Sequence, residues 1–282
     1  MNQSLKIIAL ITFLVIVMSY GFAQEKIDLK QSLTWPEYIL KGKMDNGIDY
    51  YIMEHKKPKN RILAWVAVRA GSLQETDKER GIAHYLEHMG FDGTKNFPPG
   101  ELVKYFESIG TDMGPDINAY TAFDRTVYMI EVNNEKEEYL DKAITALSDY
   151  AFNMLLLKEQ VDREKPVILE ELRLGSDVDK RVWEKRINLI FKDSLYPDRL
   201  PIGIKETIEK FSHEDLRNFY STWYRPDLMS IVVVGDCKAS EVEKKIKAMF
   251  SPVPQAKSDK PDLYVPFKPH KEIYTGIITD PE

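Results

Sequence analysis

Apolar residues recur along this chain at two periods, and the switches between them mark out the elements. From Ile39 the pattern is that of strands: an Asn46-Gly47 turn between apolar runs signals a hairpin, with Tyr50 to Met53 as the returning strand. After the polar loop Lys56 to Asn60, Arg61 to Ala70 is almost continuously apolar, which predicts a strand in the middle of a sheet. Gly71-Ser72 ends it. Further strands are expected near Asp116 to Ala122, near Arg125 to Val132 and from Leu228 to Gly235.

Between the strands the period lengthens to that of helices. Pro98-Pro99-Gly100 opens one, with Leu102, Tyr105, Phe106 and Ile109 on one face and Gly110 at its end. Glu135 to Leu155 repeats Tyr139, Ala143, Leu147, Tyr150 and Met154 at helical spacing, as a core-facing stripe does. Lys158 to Phe191 reads as mostly helical and acid-rich. Pro166 lacks an amide proton and crowds the preceding turn, so a kink or a new helix start is expected there. Ser212-His213-Glu214-Asp215 is a capping-box start for a helix reaching about Tyr224, and Ser240 to Phe250 forms another. Antiparallel-type strands with helices between them give an α+β fold, a largely antiparallel sheet packed with helices. No internal repeat is present.

The two ends read differently. Lys6 precedes an apolar run, Ile7 to Met18, followed by the small residues of Gly21-Phe22-Ala23. That run is short for a membrane span and matches a secretory signal over residues 1–23. The expectation is an exported chain, periplasmic or secreted, starting near Gln24 and without stable membrane insertion once the signal is cleaved. A main domain over residues 24–250 is followed by a proline-rich linker, 251–271, holding five prolines. Residues 272–282 read as the start of a further, truncated domain, with a strand from Glu272 to Ile278.

Composition narrows the function classes. Hydrophobic residues make up 43% and charged residues 30% of 282, a globular balance that excludes disorder. The net charge of −6 carries no basic cluster, which argues against nucleic acid as a partner. A single cysteine, Cys237, excludes an internal disulfide and a thiolate zinc cage.

The chemistry concentrates in Gly81 to Gly90. The spacing predicts a short helix, capped by Thr76 or Asp77 and closed by Gly90, with His84, Glu87 and His88 in His-x-x-Glu-His order. Residues three and four apart share a helix face, so two imidazoles can take adjacent corners of a Zn²⁺ site, with a carboxylate beside them to handle a water proton. This is the inverted-zincin spacing. A third protein ligand is needed, and Glu164, Glu170 and Glu171 offer candidates. Glu164 and Glu171 share a face if the helix survives Pro166, and Glu170 points about 100° away from Glu171.

These motifs come in an order that resembles the pitrilysin/insulysin family of zinc peptidases. The pieces are Arg80 to His88, Phe91-Asp92-Gly93-Thr94, Gly114 to Thr121, Thr126-Val127-Tyr128, Glu164 to Leu172 and Trp223-Tyr224-Arg225-Pro226. The resemblance implies one Zn²⁺ held by His84, His88 and Glu171, with Glu87 as the catalytic base and Glu164 beside the ligands. It implies that Asn118, Ala119, Tyr120 and Thr121 form an edge strand along which an extended peptide or unfolded protein lies. Family enzymes close a related C-terminal half over the first, so a homologous half or partner subunit is also implied. The rival expectation is a non-catalytic partner or scaffold subunit of a two-chain processing peptidase.

Overall fold

The computed structural model describes residues 34–279 apart from 176, 177, 264, 268–270, 272 and 274. The expected signal segment lies outside the described residues. Its frame is a six-stranded sheet of β1 (Ile39–Lys43), β2 (Asp49–Glu54), β3 (Arg61–Val68), β4 (Ile117–Thr121), β5 (Thr126–Asn133) and β6 (Met229–Gly235). The spatial order is β1-β2-β6-β3-β5-β4. The hairpin forms at Asn46-Gly47, and every pair is antiparallel except β2 with β6.

The helices are α1 (Ile82–Met89), α2 (Glu101–Ser108), α3 (Glu137–Phe152), α4 (Lys158–Leu174), α5 (Val178–Ile190), α6 (Lys205–Ile208), α7 (His213–Trp223) and α8 (Ala239–Phe250). As the continuous apolar run predicted, β3 is central. Its residues Ile62, Ala64, Val66 and Val68 are buried on one face. The helical stripe of α3 packs against β3 and β5, and Val242, Ile246 and Phe250 of α8 complete the cover over β2. This apolar interior is the main source of stability, since burying each such side chain contributes about 1.5–3 kcal/mol. Ser212 caps α7 and closes the expected box with Asp215.

Three expectations are corrected. No new helix starts at Pro166, because α4 runs through it from Lys158 to Leu174. Pro166 and Asp162 are both exposed, so the carbonyl left without its amide partner faces water. Neither Thr76 nor Asp77 caps α1, and Glu75 does so instead. The strand expected from Glu272 to Ile278 is not formed by its described residues.

Candidate metal centre

Helix α1 has few residues and no local side-chain cap, so its placement depends on what surrounds it. Its first residue follows Gly81, which has a φ of 97°, and a Cβ at Gly81 would stand 2.9 Å from the Gly203 Cα. Only glycine combines that conformation with that approach. The buried Glu75 carboxylate accepts from Gly81 N and Ala83 N, each at 3.0 Å, and so satisfies two of the orphan donors at the helix start. Burial pushes the Glu75 carboxyl up to about 8, while those amides and Arg199 pull the other way. The buried Arg199 donates to the Glu75 carbonyl at 2.9 Å and to Asp77 at 2.6 Å. Nothing in the local sequence marks Arg199, because its contact with Glu75 spans more than a hundred residues.

Ile82, Ala83, Tyr85, Leu86 and Met89 bury the inner side of α1, which leaves His84 and His88 together on the side toward α4. The Tyr85 hydroxyl donates to the Val161 carbonyl and fixes one helix on the other. The two imidazole rings are 4.7 Å apart and inclined at 76°. His84 Nε2 lies 3.6 Å from Glu171 Oε1, and His88 Nε2 lies 3.2 Å from Glu171 Oε2. One donor atom from each of these residues falls within 4.8 Å of the others. Ligands at 2.0–2.1 Å from one tetrahedral ion would stand about 3.3 Å apart; both contacts to Glu171 are near that spacing, and two imidazoles with a carboxylate are ligands of the kind Zn²⁺ takes.

The neighbouring carboxylates divide by geometry. Glu164 lies 2.8 Å from His88 Nδ1, so that ring donates to it and turns Nε2 toward Glu171. Glu170 lies away from the histidines, exposed and paired with Arg173. Glu87, on the same helix as both histidines, is 8% exposed and accepts from the Thr121 hydroxyl at 2.7 Å. Position 121 belonged to the expected edge strand, but the spacing of residues gave no sign that its hydroxyl reaches Glu87.

Protonation follows these contacts. Burial, assisted by charge on His88, lowers His84 to about 4. For His88 burial also acts downward, but the hydrogen bonds to Glu164 and Glu171 outweigh it and raise the pKa to about 9. The hydrogen bond from His88 holds Glu171 below the usual carboxylate range. Burial raises Glu87, opposed by the Thr121 hydroxyl.

Strand β4 is the sheet edge, paired with β5 on one side and touched on the other by a single bridge from Met113 to Ile117. Asn118 spends its side chain locally, donating to Gly114 O and accepting from Ala119 N, and the Tyr120 hydroxyl accepts from Arg125. A cleft of about 340 Å³ runs between β4 and the two helices, with Glu87, His88, Asp92, Met113, Asn118 and Glu164 among its walls.

Comparison with known proteins decides the family. The model described as Insulinase (Peptidase family M16) matches residues 50–194, about half of the chain. The chain belongs to this family. A second model, Peptidase M16 inactive domain, matches residues 210–282. Among curated relatives, "Probable zinc protease PqqL" of Escherichia coli is 35% identical over 251 residues, covering 89% of this M16 chain and 27% of that protein. "Zinc protease PQQL-like" of Arabidopsis thaliana is 34% identical over 243 residues, 86% of this chain and 25% of that one. The chain therefore spans about a quarter of the length of these relatives. In structure it matches the first half of the periplasmic protease PqqL from Escherichia coli with a TM-score of 0.81 at 35% identity, covering 84% of this chain and 51% of that one. Pitrilysin matches with a TM-score of 0.69 at 27% identity, covering 86% and 26%. The α+β fold with a mostly antiparallel sheet is that of these peptidases.

Proposed function

We propose that this chain is the zinc-binding part of an exported endopeptidase that cleaves extended peptides or unfolded proteins, with one Zn²⁺ held by His84, His88 and Glu171. The observation that carries the reading is the convergence of those three residues' donor atoms within 4.8 Å, beside a carboxylate outside the set, Glu87, that accepts a hydrogen bond from Thr121. Zinc held there would supply Lewis acidity, lowering the pKa of a water toward about 7 and polarising a carbonyl.

The chain's own residues account for the rest. Glu87 takes a proton from the attacking water and returns it to the leaving amine, as its position beside the ligands allows. Glu164 holds His88 at Nδ1, which fixes the tautomer and direction of the ring. The open side of β4, Asn118 to Thr121, offers backbone donors and acceptors to an extended substrate, giving affinity with little sequence preference. Residues 24–250 form the zinc-binding domain, after a signal segment and before a proline-rich linker and a following domain. The described residues contain no helix long and apolar enough to cross a membrane.

Peptide hydrolysis also requires the scissile bond to be held in line and its charged intermediate stabilised. Here the Glu171 side chain is 49% exposed and the edge strand is open to water. A homologous C-terminal half closing over this face would complete the site. Two measurements test the reading: metal content of the purified chain, and hydrolysis of an unstructured peptide with and without that half. One zinc per chain, and turnover rising by orders of magnitude when the half is added, are expected. A chain that takes up no zinc would overturn the proposed centre.

A further inference from the structure

We propose that Thr121 is a positioning residue for peptide hydrolysis: its hydroxyl fixes the Glu87 carboxylate and ties it to the edge strand that receives the substrate. The inference rests on the reading of Glu87 as the base.

The geometry is specific. The Thr121 hydroxyl stands 2.7 Å from Glu87 Oε2, and since an ionised carboxylate only accepts, the hydroxyl must donate. Its single proton is thereby committed to Glu87. The donor itself is firmly placed. Thr121 is the last residue of β4 and pairs in register with Thr126, whose own hydroxyl donates to the buried Ala70 carbonyl at 3.0 Å.

A plain structural role accounts for only part of this. A β-branched residue suits a strand, but valine would serve equally well. What threonine adds is one O–H, and it is aimed at Glu87. The side chains of Asn118 and Tyr120 turn instead to Gly114, Ala119 and Arg125, so among the polar residues of the exposed strand Thr121 reaches α1 and they do not. Glu87 also needs such a donor. It is 8% exposed, and a carboxylate withdrawn from water is costly unless a proton donor faces it. Because one residue both holds the base and belongs to the proposed substrate strand, the base keeps a fixed relation to a peptide lying on that strand.

The test uses the chain assembled with its C-terminal half. Thr121→Val removes the hydroxyl and keeps both the shape and the backbone amide, whereas Thr121→Ser keeps the hydroxyl. Thr121→Val should lower kcat on the order of 10- to 100-fold, as expected when a catalytic group loses its alignment. KM, zinc content and Tm should stay near wild type, and Thr121→Ser should recover kcat to within several-fold. The second readout is binding. In the zinc-loaded Glu87→Gln background, adding Thr121→Val should leave the Kd for an unstructured peptide unchanged, since the role runs through the carboxylate. Wild-type kcat in Thr121→Val, failure of Thr121→Ser to restore it, or weakened peptide binding in the double variant would each overturn the proposal. Hydrolysis surviving Glu87→Gln would overturn the reading of the base and this inference together. Loss on Glu87→Gln with none on Thr121→Val would overturn this inference alone.

Discussion

His88 is held at both ring nitrogens: its Nδ1 lies 2.8 Å from Glu164 while its Nε2 faces Glu171 at 3.2 Å. The first contact leaves the second nitrogen directed at the place where His84 and Glu171 converge. Glu164→Gln keeps the size of the side chain but removes the charge that orients the ring. Zinc affinity should fall about 10- to 100-fold, as for other partners of a metal-bound histidine. Competition with a chelator measures it, and an unchanged affinity would mean that Glu164 does not act through His88.

Glu170 and Glu171 are adjacent in sequence but face different partners, Arg173 and the two histidines. Glu171→Gln should sharply lower zinc retention, whereas Glu170→Gln removes only an exposed pairing with Arg173, of a kind that contributes little. Metal analysis after dialysis of the two variants separates them. Zinc loss in the Glu170 variant would assign the ligand to the wrong face of α4.

The metal-free chain should show a pH signature at His88. Burial lowers its pKa, and the hydrogen bonds to Glu164 and Glu171 more than offset this, raising it to about 9. A folded value above the ordinary one of about 6.5 contributes stability that is fully present below pH 6.5 and lost as pH rises through 9. Metal-free Tm should therefore receive a falling contribution across that window. Zinc must displace the same proton, so its affinity should rise with pH over that range. His84, already neutral with its pKa near 4, adds no proton. Calorimetry in buffers of differing ionisation enthalpy should find about one proton released per zinc at pH 7. Binding with no proton release would contradict a charged His88 in the metal-free site.

Glu75 is a stability prediction with a functional consequence. Glu75→Ala leaves the Gly81 and Ala83 amides without an acceptor in a buried place, at about 1–3 kcal/mol. Chemical denaturation should show that loss, and zinc affinity should fall with it because α1 carries both histidines. Wild-type stability would mean that water or another group caps the helix.

How much of this was legible in the sequence depends on how local the determinant is. The Asn46-Gly47 hairpin, the Ser212 capping box, the central β3 and the side of α1 shared by His84 and His88 are set by neighbouring residues, and the structure forms each of them. Local rules placed the cap of α1 at Thr76 or Asp77, but the fold brings in Glu75 from outside the helix and holds it with Arg199. The local rule for Pro166 allows a new helix start there because it takes no account of which face the unpaired carbonyl occupies, and α4 continues through it. The contact between Thr121 and Glu87 arises only when the sheet edge meets α1, so no spacing could announce it.

The central claim is that Glu87 moves protons while His84, His88 and Glu171 hold the metal. The most direct test is Glu87→Gln in the assembled protease, with zinc content and hydrolysis of an unstructured peptide measured on one sample. The account predicts wild-type zinc with hydrolysis reduced by about 10²-fold or more. Loss of zinc would make Glu87 a ligand, and retained hydrolysis would remove it from the chemistry; either result contradicts the account.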